Sequence, residues 1–192
     1  MIILLRHGKT EHNDGFYGST DSRLTDGGLQ AMHQACEALS IDAIVTSPLA
    51  RCHQFAQQLG EQCHCPVFVL PPIREYHFGD WEGVSIAQLW QTNPQDLEAL
   101  WTDINQFTPP NAESFAAFSA RLQQGVENII TWQQDYQRLL VVTHAGVIRA
   151  LRLMAGQTTA DQWLTYPVDN ASLHLFHPQT FAVEPFISTE RS

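Results

Sequence analysis

An arginine and a histidine stand together as Arg6-His7-Gly8, directly after the apolar run Ile2 to Leu5. A second histidine follows a second apolar run far downstream, where Leu139-Leu140-Val141-Val142-Thr143 leads into His144-Ala145-Gly146. Short apolar runs of this kind predict buried strands, and in open α/β sheets ligands bind just beyond the carboxyl ends of strands. Two imidazoles and a guanidinium delivered there can hold an anion such as a phosphate. One imidazole can also attack it. A neutral ring nitrogen is a competent nucleophile toward phosphorus when a hydrogen bond to the other nitrogen fixes the tautomer. Gly8 lets the backbone bend closely around a ligand.

Arg51 falls on the first turn of a predicted helix, where a cation opposes the helix dipole. A local rule broken in this way marks a site. If the strand exits converge, Arg51 reaches the same anion as Arg6. The amides of Ala145-Gly146 open another predicted helix and add an anion-binding element. His144, if protonated, adds positive charge against an oxyanion. A departing alcohol also needs a proton donor, and apolar surroundings raise a carboxyl pKa toward that task. The aromatic, glycine-bent stretch Arg74 to Gly83 offers Glu75, Asp80 and Glu82. Spacing alone leaves all three open.

Other clusters carry less. Cys63-His64-Cys65 lacks the usual metal-ligand spacing and a partner pair, so no metal site is expected. Ser47 and Ser114 follow no nucleophile pattern and read as helix caps. No glycine-rich nucleotide loop is present, and no cofactor is expected.

These groups need a frame that brings distant strand ends together. Strands are predicted at 2–5, 43–46, 67–70, 139–143, 172–176 and 181–186. Helices are predicted after Thr25 as cap, after Ser47 with Pro48 in the first helical position, at 85–92 and 94–102, from Ser114, and from His144 to Gly156. The alternation predicts an α/β three-layer sandwich, a largely parallel central sheet with helices on both faces. We read residues 1–192 as one domain, with 73–136 an elaboration flanking the site.

The formal net charge of −10 argues against nucleic acid and anionic membranes as partners. Lys9 is the only lysine, the other nine cations being arginines. A phosphate site on so acidic a chain needs arginines gathered in one pocket, where their planar forks meet phosphate oxygens in pairs. No apolar run approaches the roughly 18 residues that span a bilayer. The N-terminus lacks a basic region ahead of its apolar stretch, so no signal peptide is expected. Cys36, Cys52, Cys63 and Cys65 read as reduced thiols of a cytoplasmic protein.

The stretch Arg6 to Asn13 resembles the opening motif of the histidine phosphatase superfamily, the phosphoglycerate mutase-like enzymes. The resemblance continues through Thr20-Asp21-Ser22-Arg23-Leu24-Thr25 with Gly28, Thr46 to Arg51, Glu75 to Gly83 and Val142 to Gly146, in family order. It implies that His7 becomes phosphorylated, and that Arg6, Asn13, Arg51, His144 and the Ala145 amide hold the phosphate. It implies Glu75 as proton donor, and metal-free hydrolysis of a small phosphorylated metabolite. Phe78-Gly79-Asp80-Trp81-Glu82 and the region from Trp101 to Phe118 look most like the alpha-ribazole-5'-phosphate phosphatases of cobalamin nucleotide-loop assembly. Ala112 stands where that pattern has glycine. A broad-specificity phosphatase, a phosphoglycerate mutase and a silent phospho-ligand binder are the other readings. Trp81, Trp90 and Trp101 either stack on a flat base or belong to the core.

Overall fold

The computed structural model describes residues 1–12 and 14–186. Six strands, β1 (Ile2–Arg6), β2 (Ala43–Thr46), β3 (Val67–Val69), β4 (Leu139–Thr143), β5 (Leu173–His177) and β6 (Ala182–Pro185), form one sheet in the order β3-β2-β4-β1-β5-β6. The first four in that order run parallel, and β5 and β6 are antiparallel additions at the β1 edge. Among the described residues six helices accompany them: α1 (Asp26–Cys36), α2 (Ala50–Cys63), α3 (Ile86–Thr92), α4 (Pro94–Thr102), α5 (Phe115–Trp132) and α6 (Ala145–Met154). The three-layer α/β architecture follows directly.

Strand residues alternate between two buried faces because successive side chains point oppositely. Ile2, Leu4, Val45, Leu139 and Val141 join a core that includes Phe118, Leu122, Val126 and Ile129 of α5 and Ile148 and Leu151 of α6. Ile3, Leu5, Ile44, Leu140 and Val142 join a second core with Met32 of α1 and Phe55, Ala56 and Leu59 of α2. A parallel sheet covered on both faces explains why its strands read as unbroken apolar runs. Among the described residues, no helix is long and apolar enough to cross a membrane.

The register of β1 beside β4 pairs Arg6 with Thr143, so the two histidine motifs leave the sheet side by side. The His7 amide donates to the Thr143 carbonyl at 3.0 Å, which fixes that relation.

Two local expectations change. Thr25 and Ser114 cap α1 and α5 as their positions predict. Ser47 caps nothing, because α2 opens two residues later than expected, with Leu49 at its cap. The free amide of Ala50 instead donates to the Asp21 carboxylate at 3.0 and 2.9 Å. A charge brought from another loop thus meets this helix N-terminus. Gly8 serves close packing rather than a ligand. A Cβ there would sit 2.1 Å from the Gly28 carbonyl oxygen at the start of α1.

Candidate active site

A cavity of about 320 Å³ opens where β1 and β4 end, a volume suited to a small metabolite. Arg6, His7, Glu75 and Ala145 line it together, with Gly146 and Arg149 of α6. Arg51 and His144 lie directly behind His7, the two imidazole centroids being 5.3 Å apart. Asn13 lies outside the described residues.

His7 is buried, and its Nδ1 lies 2.8 Å from the Gly8 carbonyl oxygen. A carbonyl only accepts, so Nδ1 carries the proton and Nε2 keeps its lone pair. Burial first, then the positive charges of Arg51 and Arg6, push its pKa down to about 3. His7 is therefore neutral at any ordinary pH, with a fixed tautomer and a free Nε2.

His144 is held just as firmly, in the neutral state. Its pKa is pushed well below the usual imidazole value by burial and by the neighbouring Arg51 and His7. Arg51 Nε donates to His144 Nδ1 at 3.3 Å, which leaves Nε2 as the donor to Ser47 Oγ at 2.7 Å. Desolvation and the nearby positive charges both disfavour a protonated ring. Ser47 is thus the ring's acceptor rather than a helix cap.

The rest of the Arg51 guanidinium donates to the carbonyls of Tyr17, Gly18 and Thr20 at 2.7 to 3.0 Å. The arginine that breaks the helix-dipole rule is therefore spent on folding a loop around the site and on orienting His144. Glu82 holds the same loop from its other side. Its carboxylate accepts the amides of Gly18, Ser19 and Thr20 at 3.1, 2.8 and 2.8 Å, and that of Phe78 at 3.0 Å. Burial opposes its charge, but these amides outweigh that and hold its pKa below the usual 4.5.

Because the native pKa is depressed, the stability that Glu82 contributes is complete above the ordinary carboxylate value. It is lost as pH falls through the lowered native value. Glu82→Gln is expected to destabilise the protein by about 2 kcal/mol at neutral pH, since an amide group cannot accept all four bonds. In urea melts at pH 7 and in strong acid, the parent and variant should differ only at pH 7. Equal stability at pH 7 would remove the carboxylate from this role.

Glu75 is separated cleanly from the other carboxylates of its segment. Its side chain is buried at the cavity, with Oε1 2.9 Å from the Tyr76 amide and Oε2 3.1 Å from the Gly146 amide. Gly146 makes this approach possible, because a Cβ there would meet Glu75 Oε1 at 2.2 Å. Asp80 sits at the surface and accepts from the Asn111 side chain. Arg6 donates to the Val168 carbonyl, and its Nε has no partner among the described residues, so this guanidinium has donors to spare for an oxyanion.

Much of the cavity lining is aromatic and apolar, with Phe16, Phe78, Trp101 and Trp163 prominent, and Arg149 lines it as well. Trp81 belongs to the core, whereas Trp101 faces the cavity and Trp90 lies half exposed beside it, their ring centroids 6.1 Å apart. Arg149 and Trp163 were missed from sequence. Arg149 lies one helical turn beyond Ala145, on the same face of α6, and that spacing is a usable signal. Trp163 comes from irregular chain with no such period. Ala112 departs from the glycine pattern without strain: the left-handed residue of its turn is the preceding Asn111, at φ 59°.

Residues 2–183 match the histidine phosphatase superfamily, branch 1. The chain belongs to that superfamily. It is 34% identical over 155 residues to the adenosylcobalamin/alpha-ribazole phosphatase of Escherichia coli K12, covering 78% of this chain and 76% of that one. It is 29% identical over 184 residues to a metal-independent phosphoserine phosphatase of Arabidopsis thaliana, covering 92% and 75%. Among solved structures, the alpha-ribazole phosphatase of Shigella flexneri superposes with a TM-score of 0.78 at 28% identity, over 97% of this chain and 94% of that one. The resemblance carried by the motif blocks is confirmed, and the chain is a histidine phosphatase.

Proposed function

We propose that the enzyme releases phosphate from alpha-ribazole 5'-phosphate in cobalamin nucleotide-loop assembly, through a phosphohistidine on His7. The leaving group carries that reading. Aromatic and apolar side chains, Phe16, Phe78, Trp101 and Trp163 among them, line the same cavity as His7, and a benzimidazole needs flat apolar surfaces of that kind.

The free Nε2 of His7 attacks phosphorus as the ester P–O bond breaks, and Glu75 gives its proton to the departing alcohol oxygen. Arg6, the Ala145 amide and Asn13 hold the transferring oxygens. Arg51 and His144 act through position, packing a fixed neutral ring and an immobile charge behind His7. Water then attacks the phosphohistidine and yields its proton to Glu75. The P–N bond breaks, and phosphate leaves with both residues restored.

A second reading follows from Arg149. Its Nε donates to the Tyr166 carbonyl at 2.9 Å, while the guanidinium lines the cavity beside Glu75. A guanidinium there suits a leaving group that carries a carboxylate, such as phosphoserine. Phosphate release from alpha-ribazole 5'-phosphate and phosphoserine, with Arg149→Met in parallel, separates the two. We expect a kcat/KM at least about tenfold higher for alpha-ribazole 5'-phosphate, and a loss of less than about tenfold in the variant. If phosphoserine is preferred and loses about 10- to 100-fold in the variant, the worth of a charged hydrogen bond, the carboxylate reading replaces the first.

A further inference from the structure

Every donor of the Arg121 guanidinium is committed within the protein. Nη1 donates to the carbonyls of Pro72 and Arg74, both at 2.7 Å, and Nη2 donates to that of Glu75 at 2.9 Å. Nε and Nη2 also grip the two oxygens of Glu113. That ion pair is largely buried, with side chains 13% and 14% exposed, and the guanidinium carbon lies 4.5 Å over the Phe118 ring. Glu113 in turn accepts the His77 amide at 2.9 Å, and its own amide donates to the His77 carbonyl at 3.2 Å. The chain from Pro72 to His77 is thus gripped on both sides of Glu75 by one pair of side chains.

This segment has little regular structure of its own. A short 3-10 turn, Pro71–Ile73, ends just before Arg74, and residues 74 to 78 belong to no helix or strand. Arg121 stands on α5, an 18-residue helix whose apolar face is buried in the core. The backbone that carries Glu75 therefore takes its position from α5. Glu75 has a narrow target, the Gly146 amide at the opening of α6. A carboxyl that must meet the ester oxygen in the transition state tolerates little displacement.

We propose that Arg121, with Glu113, is the positioning residue for Glu75 and governs proton transfer to the leaving alcohol without touching substrate. This rests on Glu75 being the proton donor. Lysine keeps the charge but lacks the flat fork that meets three carbonyls and a carboxylate at once. Arg121→Lys should therefore fold and yet misplace the acid.

The test is a double-mutant cycle of Arg121→Lys with Glu75→Gln. Turnover is read on 4-nitrophenyl phosphate and on whichever of alpha-ribazole 5'-phosphate and phosphoserine is the better substrate. Vanadate inhibition reports the phosphate pocket, and thermal melts report folding. We expect Arg121→Lys to lower kcat on the alkyl ester by about 10- to 100-fold, with a much smaller loss on the nitrophenyl ester and unchanged vanadate affinity. In the Glu75→Gln background it should cost almost nothing more, because the residue it positions is already disabled. Equal losses on both esters, or losses that multiply in the double variant, would overturn the proposal. Should Glu75→Gln itself show no preference between esters, the proton-donor assignment fails and takes this proposal with it. Glu113→Gln, which keeps the side-chain shape, must show the same pattern more weakly, and it decides the matter alone if Arg121→Lys does not fold.

Discussion

Replacing His7 by alanine is expected to lower phosphate release by at least about 10⁴-fold, the scale on which enzymes lose turnover when a covalent nucleophile is removed. The fold should survive. The His7 backbone bonds, its amide to Thr143 and its carbonyl to the Ala171 amide, do not involve the side chain. The ring itself borders the cavity, so its loss leaves space that water can enter. Rapid quenching of the parent enzyme during turnover should trap phosphate on the chain in an acid-labile, alkali-stable form, as expected of phosphohistidine. The variant should show none. Turnover near the parent rate with no trapped phosphate would return the chemistry to another group. Because His7 titrates only near pH 3, any loss of activity between pH 5 and 7 belongs to a different residue.

Glu75→Gln is expected to slow turnover of an alkyl phosphate by about 10² to 10⁴, the usual worth of a general acid. Phosphate affinity should change little, since the side chain can still meet the Gly146 amide. Nitrophenolate leaves with little protonation, so the loss on nitrophenyl phosphate should be much smaller. That difference is the signature of an acid, as opposed to a residue that only shapes the pocket. An equal loss on both esters would move the role elsewhere. The structure leaves little room for the neighbouring carboxylates, because Glu82 is saturated by four amides and Asp80 faces the surface.

The convergence of the two histidine motifs was legible in the sequence because it hangs on sheet geometry. Apolar runs announce the strands, and His7 and His144 follow directly. Their convergence needs only parallel neighbours with matching ends. What was illegible depends on backbone groups far apart in the chain. Nothing near Glu82 says that its carboxylate closes a loop more than 60 residues upstream. Nothing near Arg121 says that it carries the backbone of Glu75. Side chains that bind peptide groups leave no periodic trace, since any residue type can supply the other half of the bond. For His144 the position was readable, but its charge is set by burial, which no local pattern reports. The aromatic walls fell between these cases, being visible as residues but not as a surface.

Arg6, His7, Ala145 and Gly146 stand at strand ends and a helix opening of the sheet, whereas Ile86, Trp101 and Trp163 reach the same cavity from α3, α4 and irregular chain. Those three side chains share the cavity with His7 but no strand or helix with it. Natural drift, or a directed library confined to Ile86, Trp101, Trp163 and Leu164, can therefore reshape the apolar lining while His7 and the charges around it stay untouched. A scaffold divided in this way can diversify its substrates without rebuilding its chemistry.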